Sequence, residues 1–396
     1  MTHGLRSTAF IPSPRIEPAP WFDGRDDRPH LVHVFPSFSI GGTQVRFAAL
    51  ATALRARFRH TVVSLDGDYG AAVLVPPCAP VRYAEPPPPT SSAAARLSLY
   101  RAELAALKPD VLVTYNWGAM EVALVNAFGG GPHVHMEDGF GPEEAVRQFT
   151  RRIWARRVAL ARSHVVVPSR TLQAIAIDNW RLDRRNVQHI PNGVAPQADY
   201  VTRLDSLRPN LPRGLPVVVW VGALRPEKNP LRLLRAFAPL KAHAVLLMIG
   251  EGSERNAILQ EAARLQLGGR LRLLGRRTDA RDLIMQSQIL ALSSDTEQMP
   301  FAVLEAMDAG LPVASTDVGD VREMVAVENR PFVVAPSEAA LGDALRALIV
   351  DPALRASIGQ ANRARQRELY TLSAMAEAYG VLFDRLSARS RARSSR

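Results

Sequence analysis

Residues Ser293–Ser315, SSDTEQMPFAVLEAMDAGLPVAS, decide the fold. An apolar run from Gln288 to Leu292 leads into the stretch and a second, Leu311 to Ala314, closes it. This reads as a strand-loop-helix-loop-strand unit of parallel α/β type. Glu297 then falls in the loop after a strand, and Glu305 sits inside the helix. Pro300 suits the first helical turn, where a missing N–H costs nothing. The free amides just after it point back toward the loop and suit an anionic or hydroxyl-rich ligand.

Working outward, the same alternation extends in both directions. Apolar runs at Leu31–Phe35, Thr61–Leu65, Val111–Thr114, His133–Met136, Val165–Val167 and Val187–Ile190 alternate with helix-like segments, which predicts a first doubly wound domain over 30–195. A second set, Val217–Val221, Val245–Ile249, Leu271–Leu274, Ile289–Leu292, Val313–Ser315 and Phe332–Val334, predicts a second domain over 196–370. Between them Pro191, Asn192, Gly193 and Pro196 are turn or breaker residues and mark the linker. A last helical segment covers 371–388. Residues 1–29, punctuated by Pro12, Pro14, Pro18 and Pro20, read as a disordered tail, and 389–396 as a basic tail.

The 396 residues suffice for two domains with separate cores, so a small ligand between them is plausible. Cys78 is the single cysteine and has no intramolecular partner; with no apolar N-terminal stretch, the expected location is cytoplasmic. A net charge of +11 favours anionic partners. Arg147, Arg151, Arg152, Arg156, Arg157 and Arg162 are interleaved with Phe149, Ile153, Trp154, Val158 and Leu160. That pattern suits either a basic amphipathic helix on an anionic membrane surface or an ordinary helix packing on its own domain. No zinc-ligand spacing or nucleic-acid module accompanies the charge, which argues against a dedicated nucleic-acid role.

Glu297 and Glu305, spaced E-x7-E and followed by Ala306-Met307 and Gly310-Leu311-Pro312-Val313, resemble the signature segment of the family 4 glycosyltransferases. The resemblance covers most of residues 30–388. It implies the GT-B fold, two facing Rossmann-like domains with a cleft between them, and a retaining transfer from a nucleotide diphosphate sugar with no bound metal or other cofactor. It implies that Glu297 contacts donor-sugar hydroxyls and Glu305 the ribose hydroxyls; a carboxylate accepts two hydrogen bonds from a vicinal diol. Met299 and Phe301 join the donor-binding set. VGALRPEKNP resembles a donor-diphosphate segment in which Lys228 neutralises the β-phosphate as the glycosidic bond breaks. Ala223 stands where that family usually has arginine, and Arg225, two residues on, is the candidate replacement. Gly41-Gly42 matches a glycine-rich loop facing the diphosphate and acceptor. Gly250 and Gly252 match a turn near the nucleotide, and Arg277, in Gly275-Arg276-Arg277, a segment near the base.

In the first domain, PHVHMEDGFGPEE lies where that family usually has a strand ending in a histidine near the anomeric carbon. His135, Glu137 and Asp138 compete for this role; Asp138 aligns with the usual histidine, whereas His135 and Glu137 share one side of the strand. Asn116 and Trp117, after another strand, are candidates for the acceptor, which would be a saccharide or lipid-linked glycan of cell-envelope or exopolysaccharide biosynthesis. Asp66-Gly67-Asp68 looks like a metal-binding D-x-D but lies in a first-domain turn and is discounted. The alternatives are an epimerase or phosphorylase on a similar scaffold, or a non-catalytic sugar-nucleotide-binding protein.

Overall fold

The computed structural model describes residues 26–90, 92–144, 147–196 and 214–394, so most of the expected N-terminal tail and part of the linker lie outside the described residues. The strands are β1 (His30–Phe35), β2 (Arg59–Ser64), β3 (Val81–Tyr83), β4 (Val111–Tyr115), β5 (His133–Met136), β6 (His164–Val167) and β7 (Val187–His189), then β8 (Val217–Val221), β9 (Val245–Ile249), β10 (Leu271–Leu273), β11 (Ile289–Leu292), β12 (Val313–Thr316) and β13 (Val333–Val334). The helices are α1 (Gly42–Ala53), α2 (Ala93–Leu107), α3 (Met120–Ala127), α4 (Thr150–Ala159), α5 (Arg170–Asp178), α6 (Pro230–Phe237), α7 (Arg255–Arg264), α8 (Ala280–Met285), α9 (Phe301–Asp308), α10 (Val321–Met324), α11 (Glu338–Val350), α12 (Pro352–Leu369) and α13 (Leu372–Ser394).

The strands form two parallel sheets, ordered β3-β2-β1-β4-β5-β6-β7 and β10-β9-β8-β11-β12-β13. Nearly every central strand is buried along its length, as a sheet covered by helices on both faces requires. The direction of winding reverses between β1 and β4 in the first sheet and between β8 and β11 in the second. Loops leaving those strand ends open a crevice, the usual ligand site of such sheets.

Strand ends shift by a residue or two from the sequence reading, and two further differences bear on the site and the domains. Pro300 stands at the N-cap of α9 with extended backbone rather than in the first turn. The terminal helix runs on to Ser394 and takes in most of the basic run from 389. This helix crosses back to the first domain: Met375, Tyr379, Leu382, Phe383 and Leu386 are buried in the same core as Phe35, Phe47, Phe58 and Tyr115. Arg57 adds ion pairs to Glu377 (2.9 Å) and Asp384 (2.5 Å).

Candidate active site

The loops after β8 and β11 bring two of the expected residues together. Lys228 Nζ donates to Glu297 Oε1 at 2.6 Å, and Ser294 Oγ donates to the same oxygen at 2.8 Å. The two loops are sewn to each other, Ser293 Oγ to Lys228 O (3.0 Å) and Asp295 N to Glu227 O (2.8 Å), so the pair is held by backbone and not by chance side-chain encounter. Arg232 reinforces the junction through Asp295 (2.6 Å). Arg225 is not drawn in. Its side chain is 63% exposed and its nearest carboxylate is Glu227, at 4.0 Å.

Glu305 lies one helical turn into α9. Burial pushes its carboxyl up to about 7 and Asp308 adds to this, against the opposing pull of Arg281. Arg281 is claimed by Asp308 at 2.7 Å, and among the described residues nothing hydrogen-bonds the Glu305 carboxyl. A desolvated, unpartnered acid of this kind gains from any ligand that offers it hydroxyl donors.

Opposite stands the first domain. A Cβ on Gly42 would sit 3.4 Å from the Phe301 ring, so the Gly41-Gly42 loop faces the start of α9 across the crevice. Met299 is buried and engages the linker: its sulfur and carbonyl accept from Asn192 N (3.1 Å) and Nδ2 (2.9 Å). Gly250 and Gly252 have a local structural cause. At φ of 149° and 158°, a Cβ on either would collide with the backbone oxygens of Gly222 and Leu224. Arg277 pairs with Asp279 at 2.6 Å on the surface.

Asp138 follows β5 and is clamped. Arg46 of α1, itself buried, donates Nη1 and Nη2 to the two carboxylate oxygens at 2.5 and 2.8 Å, and Thr43 Oγ1 adds a bond of 2.8 Å. Burial works against the Arg46 charge, yet Asp138 holds its pKa above the ordinary arginine value. Asn116, in the left-handed region at φ 53°, orients the segment by accepting from Asp138 N at 2.7 Å. The pairing of Asp138 with Arg46 was not read from the sequence. Its trace there is an arginine on the apolar face of GTQVRFAALATA.

His135 and Glu137 do share one side of their strand, 3.7 Å apart, but both are fully buried. His135 Nδ1 is engaged with Thr114 Oγ1 (2.8 Å), and Arg156 Nε lies 3.4 Å from Glu137. Trp117 is not an open platform. Arg152 and Arg156 stack on its ring at 4.9 and 5.0 Å, and it packs against the core around Met120, Leu160 and Trp180.

The same contacts divide the arginines of residues 147–162 between the domain core and the surface. Arg156 is buried under Trp117, Phe140 and Trp180 and pairs with Glu144 at 3.2 Å, while Arg152 pairs with Glu143 and Glu144 at 2.6 and 3.0 Å. Arg147, Arg151, Arg157 and Arg162 remain exposed, beside Phe149, Val158 and a Trp154 that is 57% exposed. Among the described residues no helix is long and apolar enough to cross a membrane.

Two family models match the chain: Glycosyltransferase Family 4 over residues 40–198 and Glycosyl transferases group 1 over 205–365. Among curated proteins, the chain is 24% identical over 170 residues to the N-acetyl-alpha-D-glucosaminyl L-malate synthase of Bacillus anthracis, covering 42% of this chain and 45% of that protein. It is 27% identical over 215 residues to the UDP-Gal:alpha-D-GlcNAc-diphosphoundecaprenol alpha-1,3-galactosyltransferase of Escherichia coli, covering 51% and 55%. The chain thus spans about half the length of these curated relatives. Among solved structures, Anabaena Alr3699/HepE in complex with UDP and glucose superposes with a TM-score of 0.78 at 18% identity, covering 91% of this chain and 100% of that one.

Proposed function

Because the chain belongs to the family 4 glycosyltransferases, we propose that it moves a sugar, with retention of anomeric configuration, from a nucleotide diphosphate sugar to a saccharide or lipid-linked acceptor of cell-envelope glycan or exopolysaccharide biosynthesis. The observation that carries this reading is the junction of Lys228 and Glu297 at the β8/β11 switch point, 2.6 Å apart, ahead of the amides that open α9. When the bond between the anomeric carbon and the β-phosphate oxygen breaks, the electron pair stays on the phosphate. Lys228 offsets that charge. Glu297, released from Lys228 by the diphosphate, accepts from sugar hydroxyls, and Glu305 accepts from the ribose. The acceptor oxygen forms the new bond on the face the phosphate leaves and gives up its proton to the departing β-phosphate oxygen.

Asp138, with both oxygens already accepting from Arg46, serves this reading as an oriented negative charge near the anomeric carbon rather than as a free base. The solved neighbour bound to UDP and glucose, and the galactosyltransferase named for a diphosphoundecaprenol substrate, support the choice of donor and acceptor class. Anionic membrane is the proposed docking surface. Arg151 and Arg157 with exposed Trp154, Val158 and Phe128 would seat the first domain beside a lipid-linked acceptor.

A thermal-shift screen of nucleoside diphosphates and their sugars tests the reading, since a ligand bound by the native state raises its melting temperature. One base series should stabilise the chain, and Glu305→Ala should reduce the shift. No response to any nucleoside diphosphate would overturn the proposal.

A further inference from the structure

Asp320 follows β12 and occupies the N-cap position of α10, yet its side chain makes no capping bond to that helix. It reaches the first domain instead. Oδ2 accepts from Arg170 N at 2.6 Å, and Oδ1 accepts from Thr171 N at 3.1 Å and Thr171 Oγ1 at 2.7 Å. The first turn of α5 therefore has two of its free amides satisfied by a carboxylate from the second domain. The favourable end of the helix dipole strengthens the contact. The next amide, Leu172 N, is capped by Ser169 Oγ at 3.0 Å, and that same hydroxyl donates to Gln298 Oε1 at 2.7 Å.

Both second-domain partners belong to the donor loop or grip it. Gln298 is the neighbour of Glu297, and Asp320 N donates to Gln298 O at 3.0 Å. Gly319 makes this fit possible: at φ 54°, a Cβ there would lie 2.4 Å from Glu297 O and 2.7 Å from Gln298 O. On the facing side the Gln298 side chain lies over Gly139, where a Cβ would be 3.0 Å from its Cγ, one residue beyond Asp138. One cluster thus ties the loop carrying Glu297 to both the helix α5 and the segment carrying Asp138.

We propose that Asp320 is a positioning residue for transfer: by capping α5 across the cleft it holds the two domains closed and sets the donor loop against the Asp138 segment. The inference rests on the cleft being the transfer site, but its first readout does not. With Cys78→Ser as background and spin labels at Glu103→Cys and Arg346→Cys, the interdomain distance is measured without nucleotide. The protein with Asp320 intact should give one short distance, and Asp320→Ala a longer, broader one, the open-to-closed ratio rising on the order of tenfold for the lost charge-assisted bonds.

For whichever nucleotide sugar the wild type consumes, kcat should fall at least tenfold in Asp320→Ala while the Kd for UDP, or for the diphosphate found by screening, changes less than twofold. Asp320→Asn, which keeps one acceptor oxygen, should fall between. An unchanged distance in Asp320→Ala overturns the proposal, as does a parallel loss of nucleotide affinity and melting temperature, which would mark Asp320 as a folding residue. If Asp320→Ala does not fold, Thr171→Val and Gln298→Ala, which each remove one bond of the cluster, should open the distance in the same direction; no movement in either overturns it equally. A chain that binds no nucleotide sugar would refute the transfer reading and leave the distance measurement readable.

Discussion

Replacing Glu305 with glutamine should stabilise the empty protein at alkaline pH and weaken its nucleotide binding at once. Burial raises the folded-state carboxyl from 4.5 to about 7, so between those values the folded chain binds more protons than the unfolded one. The contribution of Glu305 to stability therefore falls as pH rises from about 4.5 to 7, and its penalty is fully present above 7. At about 1.4 kcal/mol for each tenfold change in proton affinity, the ceiling is ~3 kcal/mol; because the residue is only partly buried, about 1–2 kcal/mol is the realistic gain. Glu305→Gln removes the charge and keeps the volume. In urea melts it should match wild type near pH 4.5 and exceed it by that amount at pH 8. Ribose hydroxyls donating to the carboxylate would pull its pKa back down, so nucleotide binding near pH 6.5 should release a proton, seen by calorimetry in buffers of different ionisation enthalpy. The mutant should release none and bind about tenfold or more weakly, the worth of a hydrogen bond to a charged group. Equal stability of both proteins at pH 8, or proton release unaltered by the mutation, would refute the reasoning.

Lys228→Ala should lower kcat by about two orders of magnitude, as loss of a contact to developing charge does; a wild-type kcat with only a raised KM would reduce Lys228 to a binding group. Asp138→Asn leaves buried Arg46 facing a neutral partner and should cost about 2–4 kcal/mol in denaturant melts. It should also abolish transfer with nucleotide affinity intact, whereas an active Asp138→Asn beside a dead His135→Ala would move the role to the histidine. Burial depresses His60 and His133 to about 3 and His30 to about 4, so each binds its proton chiefly on unfolding, and stability should fall as pH drops below about 6.5. His60→Gln should flatten that acid limb by up to about 1.4 kcal/mol per pH unit; an unchanged slope would show that other groups govern it. On anionic vesicles, Arg151→Gln with Arg157→Gln should weaken sedimentation by about tenfold or more, at roughly 1 kcal/mol per arginine. Binding unaffected by that pair would remove the α4 face as the docking surface.

Much of the fold was legible because central parallel strands are continuous apolar runs, and Val217–Val221, Val245–Ile249 and Ile289–Leu292 match β8, β9 and β11 to the residue. Strand β3 was not legible: three residues, VRY, between proline-rich segments carry no periodicity. At the site, Lys228 and Glu297 were recoverable from motif order, since each sits at a strand end that the topology itself brings to the switch point. Arg46 was missed because its partner is 92 residues away and an arginine in a helix reads as solvated. The sequence left the placement of Arg156 open for a related reason. Its burial depends on Trp117 and Trp180 from two other segments, and the local pattern of α4 could not announce a cation enclosed by distant rings.

Helix α13 completes the first domain only after the strands of the second have been made. As the chain leaves the ribosome, β1 to β7 are available early, but the hydrophobic face that Phe35, Phe58 and Tyr115 share with Tyr379 and Phe383 stays open until residues 375–386 emerge. The usual vectorial order, N-terminal unit first, is thereby inverted in its closing step. A stop codon before Leu372 would strip the near domain of part of its core while sparing the strands of the far one, so the fragment should retain a folded C-terminal sheet and expose its N-terminal one to proteolysis.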